Sequence, residues 1–133
     1  MLLESAAETD ALKAVVSEGA GIRSVREGAE LPGAEKWAQL STWAASTVVA
    51  AVFGSDSPPP NLKDLVPRIA PRPVFFIYAD RGQGGETLSA DYYEAAGEPK
   101  QLWKTDSSHT GGYDARPGEY ERRVVRFFDE ALL

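Results

Sequence analysis

The chain has 133 residues, 43% of them apolar and 26% charged, which is enough to bury the core of one globular unit. Fourteen basic against twenty acidic side chains give a net charge of −6, a field that repels phosphate backbones and anionic lipid and so argues against nucleic acid as a partner. With no cysteine, a disulfide framework, a thiolate metal site and a cysteine nucleophile are all excluded.

Residues 1–9 read as the end of a helix, because Leu2, Leu3, Ala6 and Ala7 share a helical face. No basic n-region or apolar stretch of signal-peptide kind occurs here, so the compartment stays open with the cytoplasm favoured. Within 13–17, Ala14-Val15-Val16 has the character of a buried parallel strand, closed by Glu18-Gly19-Ala20-Gly21. Ser24 and Glu27 stand at capping-box spacing for a short helix over 24–30, ended by Pro32-Gly33.

A helix over 34–53 follows, with Trp37, Leu40, Trp43, Ala44, Thr47, Val48 and Ala51 three and four apart, stopped by Gly54 and Pro58-Pro59-Pro60. No charge occurs from Trp37 to Ser55, about the length of a membrane span. Gln39, Ser41, Thr42, Ser46, Thr47 and the many alanines lower its hydropathy, so the reading is a buried or cap-like helix, with both tryptophans in core or lid packing. Residues 55–61 are a candidate hinge, and 31–60 a lid or insert within a single segment over 1–133.

Asn61 offers a cap for a short helix through Leu62, Leu65 and Val66. Val74-Phe75-Phe76-Ile77-Tyr78 is the best strand in the chain, expected to be central and covered on both faces. After Gly82-Gln83-Gly84-Gly85, residues 86–96 carry Leu88, Tyr92, Tyr93 and Ala96 at helical spacing, with Gly97 as the C′ residue; one of the two tyrosines should be packed and the other solvated. A third strand over 100–105 leads through a loop into a last helix. That helix has Pro117 in its first turn, a stripe of Tyr120, Val124, Phe127, Phe128 and Leu132, and Arg122, Arg123 and Arg126 on its solvated face. Strand and helix alternate, which predicts an α/β fold: about three parallel strands with flanking helices and a lid-like helix.

In a parallel sheet, functional groups gather on the loops at the carboxyl ends of the strands, here 17–21, 79–86 and 106–112. The last holds the only histidine, His109, followed by Gly111-Gly112, and the middle one holds Asp80 and Glu86. A base and an orienting carboxylate need this arrangement: the imidazole takes a proton from a nucleophile while the acid fixes its tautomer. The glycines of 82–85 lack the Gly-Lys-Ser/Thr ending and the dinucleotide spacing of a phosphate loop.

Five stretches together resemble the last third of an α/β-hydrolase: Pro71-Arg72-Pro73-Val74-Phe75-Phe76-Ile77-Tyr78, Tyr92-Tyr93-Glu94-Ala95-Ala96, Pro99-Lys100-Gln101-Leu102-Trp103, Ser108-His109-Thr110-Gly111-Gly112, and the helix Glu119-Tyr120-Glu121-Arg122-Arg123-Val124-Val125-Arg126-Phe127-Phe128-Asp129. The likeness, to serine esterases and dienelactone hydrolases, is specific from about Val66 onward. It is weaker over 1–26, where Leu12-Lys13-Ala14-Val15-Val16-Ser17-Glu18-Gly19 is similar to the strand after the nucleophile helix.

The resemblance implies a partial α/β-hydrolase fold, its C-terminal half, from a parent enzyme acting on a small-molecule ester or related acyl bond without metal or organic cofactor. It makes His109 the base. The usual aspartate position falls near Gly82, leaving Glu86 and Asp80 as acids, with Glu86 preferred because the glycines before it let the loop fold back. No Gly-x-Ser-x-Gly elbow occurs in the 133 residues, so the nucleophile and its oxyanion hole are expected just before Met1, and the chain alone is expected to be inactive. The alternative is a non-catalytic binding or interaction module, self-associating through the open edge of the first strand; membrane attachment through 37–55 is disfavoured.

Overall fold

The computed structural model describes residues 2–54 and 59–133, so part of the expected hinge, Ser55 to Pro58, lies outside the described residues. Three strands, β1 (Val15–Glu18), β2 (Val74–Arg81) and β3 (Lys100–Ser108), form one parallel sheet in the order β1-β2-β3. β2 is central, as its unbroken apolar run requires. Among the described residues β1 pairs only with β2, Val15 opposite Val74 through Glu18 opposite Ile77, and its other edge is open.

Alternation along β2 divides the core into two layers. Val74 and Phe76 face a cluster with Leu3, Ala6, Leu62, Leu65, Val66, Ile69, Leu88 and Tyr92, contributed by α1 (Leu2–Glu8), α4 (Leu62–Leu65), a single 3-10 turn after it, and α5 (Ser89–Ala95). Phe75 and Ile77 face the opposite way, into Trp103 and Phe127, with Val16, Tyr120, Val124 and Phe128 around them. This second layer is the apolar stripe of α7 (Pro117–Leu132), with Pro117 at its first turn; the stripe stops at Phe128, because Leu132 is 54% exposed. Arg123 lies over the Trp103 ring at 4.8 Å while pairing with Glu119 at 2.7 Å, and so closes the rim of this layer.

Two polar side chains tie the first layer together. Glu27, in α2 (Val25–Glu30), is 1% exposed. Half of the expected capping box forms, the Glu27 N–H donating to Ser24 Oγ at 3.1 Å. The carboxylate, however, accepts from the Arg23 N–H at 2.8 Å and the Lys63 N–H at 3.3 Å, joining α2 to α4. Arg72 donates to the carbonyls of Thr9, Leu12 and Ile69, fastening the exit of α1 to the entry of β2.

Three expectations about the helices are refined or corrected. Gly97 holds the expected C′ place, directly after the Ala96 cap of α5, but without the left-handed backbone usual there: the Lys100 ammonium caps the helix instead, donating to the carbonyls of Tyr93 and Ala96 at 2.9 and 3.0 Å. Gly97 is small for another reason, since a Cβ there would come within 2.7 Å of the Ala70 Cβ. Tyr93 is half-buried rather than solvated, edge-on to Phe76 at 6.4 Å, beside a fully buried Tyr92.

The third concerns α3 (Gly33–Phe53), which is not buried. Leu40, Trp43 and Thr47 make its inner face, whereas Trp37, Ala44, Val48 and Ala51 are exposed, Trp37 by 71%. The stripe is too dilute in large side chains to hold more than one face down, and the α3 hydroxyls of Ser41, Thr42 and Ser46 bond back to the helix's own carbonyls. Among the described residues no helix is long and apolar enough to cross a membrane.

Phe127 is the centre of the α7 contact, its ring 5.5 Å from Phe75. Phe127→Ala is expected to lower stability by about 3–5 kcal/mol, a loss visible as a fall in the urea midpoint without a change in slope.

Candidate active site

All three strands run the same way, so the loops after Glu18, Arg81 and Ser108 meet at one edge of the sheet. Gly84 and Gly85 take left-handed backbone, φ 66° and 82°, which reverses the chain after β2. A Cβ at Gly85 would also overlap the Ile22 side chain. The reversal lays Glu86 back against the end of its own strand, where it is 1% exposed.

The Glu86 carboxylate is divided between two donors. Oε1 accepts from the Ala79 N–H at 2.8 Å, and Oε2 lies 2.7 Å from His109 Nδ1. Space for it exists only because position 82 is glycine: a Cβ at Gly82 would overlap the Glu86 carboxylate. Glu86 thus fills the room that a side chain at 82 would occupy.

His109 sits in a turn closed by the Gly111 N–H to the Ser108 carbonyl at 2.9 Å. Its imidazole is half exposed, and Nε2 has no hydrogen-bond partner among the described residues. Thr110 follows at φ 51°, a conformation that is strained for a β-branched residue and persists only when its surroundings hold it. Gly19 is part of those surroundings: a Cβ there would lie 2.7 Å from Thr110 Cγ2 and 3.3 Å from His109 Cε1.

Asp80 is not brought to the histidine. A bulge between Ala79 and Arg81 takes it out of the pairing with β3, and strand alternation turns it away from the buried Ala79 side. It is exposed and pairs with Lys104 at 2.5 Å, holding the Lys104 ammonium above its ordinary range. Of the two expected acids, the structure joins only Glu86 to His109.

The sequence placed Glu18 and Gly19 on one of the three carboxyl-edge loops but gave neither a role, and their contacts were missed. Glu18 Oε1 accepts from the Gly112 N–H at 3.2 Å and Oε2 from the Tyr120 hydroxyl at 2.8 Å. Burial first, and then Glu18, push the Tyr120 phenol up to about 12. A carboxylate directly after a predicted parallel strand was the signal available. No group of three or more His, Asp or Glu side chains among the described residues could hold a metal ion.

A cleft of about 400 Å³ opens beside this edge, with Leu3, Gly19, Gly21, Ile22 and Trp43 in its wall. Gly19 is therefore common to the cleft and to the backing of the His109 turn.

No protein-family model and no curated protein matches the sequence. Solved structures do. The Pyrococcus furiosus esterase PF2001 superposes with a TM-score of 0.67 at 23% identity, over 98% of this chain and 50% of that one. The α/β hydrolase GrgF from Penicillium sp. sh18 gives 0.65 at 14% identity, over 98% and 60%. MGS-MChE2, an α/β hydrolase from a lagoon-sediment metagenome, gives 0.59 at 16% identity, over 97% and 56%.

This chain has a partial α/β-hydrolase fold. It spans about half the length of those enzymes, 50% of the Pyrococcus esterase. Within the α/β-hydrolase frame, the edge where Glu86 and His109 meet is the carboxyl edge of the parallel sheet.

Alkaline titration tests the Glu18–Tyr120 contact. A phenol whose folded pKa is raised contributes stability that is complete below its unfolded value, about 10, and is lost as pH rises through the folded value, about 12. Tyr92, pushed up by burial and then by Glu27, adds to the same slope. Unfolding free energy should therefore decline steadily above about pH 10, and Tyr120→Phe should make that decline shallower.

Proposed function

We propose that the chain supplies the base and the orienting acid of a serine-type hydrolase acting on ester or related acyl bonds. The observation that carries this reading is the 2.7 Å contact between a fully buried Glu86 carboxylate and Nδ1 of a histidine whose Nε2 is free. With Glu86 accepting, the ring proton is held on Nδ1, which leaves the Nε2 lone pair open toward a nucleophile. Nε2 would take the hydroxyl proton of an attacking serine and return it to the leaving alcohol. The carboxylate would stabilise the imidazolium formed between those steps.

The serine and the oxyanion donors are proposed to come from a Gly-x-Ser-x-Gly segment outside these 133 residues, since none occurs within them. The cleft beside Gly19 would receive the acyl substrate, and α3, whose Trp43 lines that cleft, would serve as its lid. No cofactor takes part in this scheme.

The acid stands at Glu86 while the related enzymes' aspartate position, by the resemblance, falls near Gly82. Two observations support an exchange of position rather than a loss: the Glu86 carboxylate fills the space above Gly82, and Gly82 has no left-handed backbone that would forbid a side chain.

Because His109 is the only histidine, nitrogen-15 spectra of the chain report its tautomer directly. The wild type should show the Nδ1–H form. In Glu86→Gln the amide oxygen is kept by the Ala79 N–H, so the amide NH₂ faces the ring and should switch the proton to Nε2. Gly82→Asp combined with Glu86→Ala should restore Nδ1–H. In a polypeptide that joins the chain to its nucleophile, His109→Ala should abolish acyl transfer and Glu86→Gln should lower kcat by roughly 100-fold or more. Asp80→Asn should stay within about twofold of wild type, as removal of an exposed ion pair does. A wild type in the Nε2–H form would overturn the assignment.

A further inference from the structure

We propose that Glu18 and Tyr120 form a clamp that sets the His109 turn over Glu86, which makes both of them positioning residues for the base. This rests on the reading of His109 as base and extends it to a second carboxylate on a different strand.

The His109 turn is closed by one internal hydrogen bond, from the Gly111 N–H to the Ser108 carbonyl. Its histidine is half exposed and makes one side-chain bond, to Glu86. Thr110 strains against φ 51°. A turn of this kind relaxes unless both ends are fixed. The incoming end is fixed by β3. At the outgoing end, the first residue past the turn is Gly112, whose N–H is the donor to Glu18 Oε1 at 3.2 Å.

The other oxygen of Glu18 spans to α7 through the Tyr120 hydroxyl at 2.8 Å. The Tyr120 ring is in turn braced between Tyr113, edge-on at 5.7 Å, and Trp103 at 6.0 Å. The Glu18 backbone is fixed, because it is the last residue of β1 in register with Ile77, and the next residue, Gly19, donates its N–H to the Ile77 carbonyl at 3.1 Å.

Gly112 shows how close the clamp is. A Cβ there would lie 2.9 Å from Glu18 Oε1 and 3.6 Å from Tyr120 Cδ2. Thus the end of β1 meets the turn through the Glu18 carboxylate at its exit, and the residue after β1, Gly19, backs its histidine and threonine with a bare Cα. Neither residue touches the imidazole by a hydrogen bond, so the effect is on where the ring sits.

The test uses the His109 ring signals of the whole chain. In wild type the Nδ1 proton should be bonded to Glu86 and slow to exchange. Glu18→Ala should speed its exchange about tenfold or more, the factor expected when a charge-assisted hydrogen bond is lost, and should populate both tautomers. Tyr120→Phe keeps the ring packing and removes only one arm, so it should move the same signals in the same direction by less.

Glu18→Gln should return them to wild type, because its amide oxygen can accept from Gly112 while its NH₂ donates to the tyrosine oxygen. A general loss of folding would be marked by collapse of all amide dispersion, and the Tyr120→Phe and Glu18→Gln pair then decides the matter. If the wild type shows the bonded Nδ1 proton and all three variants match it, the clamp is refuted while the base assignment stands. If the wild type lacks that proton, both fall.

Discussion

The site depends on one buried carboxylate with two oxygens committed to different things. Glu86 Oε1 accepts the amide of Ala79 and so is tied to β2, while Oε2 meets His109 and so is tied to the loop after β3. Removing a carboxylate from water costs several kcal/mol, and it is tolerated only where charge-assisted hydrogen bonds satisfy both oxygens. Much of the local architecture serves that condition. Gly82 leaves the volume vacant, Gly84 and Gly85 turn the chain back into it, and Ile22 closes over the reversal at Gly85. An isolated histidine on a surface turn becomes one held at a fixed nitrogen.

What holds the carboxylate in turn is the central strand. β2 places Val74 and Phe76 in one core layer and Phe75 and Ile77 in the other, so it cannot slide by one residue without exchanging the two layers. Its last buried residue, Ala79, is the one that binds Glu86, and the strand's register with β3 fixes where the His109 turn begins. The Glu86–His109 pair is thereby referenced to the strand buried between both core layers. α3 stands at the other extreme, attached along one face by Leu40, Trp43 and Thr47 while Val48, Val49, Val52 and Phe53 remain exposed. Such a helix contributes little to the core.

Much of this was legible in the amino-acid order. β2 announced itself because a strand covered on both faces must be apolar without alternation, whereas the edge strands showed only the short runs Ala14-Val15-Val16 and Leu102-Trp103 between turn residues. The α7 stripe was legible for a similar reason, with Leu132 misjudged because helical spacing says which side chains share a face and not where the partner surface ends. Gly97 stands at the expected C′ place for a reason that neighbours along the chain do not show: glycine after a helix usually permits left-handed backbone, but here it relieves a contact with Ala70 from a distant turn. Glu18 was passed over because a charged residue next to glycines reads as a loop, and its partners Gly112 and Tyr120 lie 94 and 102 residues away.

The sequence by itself determined the α/β alternation, the central strand, the two loops that carry His109 and the two candidate carboxylates, and the absence of a serine elbow from the 133 residues. These follow from periodicity, turn chemistry and residue inventory, which are properties of neighbours along the chain. Only the tertiary structure decided between Glu86 and Asp80 as the carboxylate at His109. Both are within reach by chain length, but the bulge after Ala79 turns Asp80 outward to Lys104, and the gap above Gly82 admits Glu86. That choice was made by which side of a strand each carboxylate leaves from and by a volume one missing side chain keeps open.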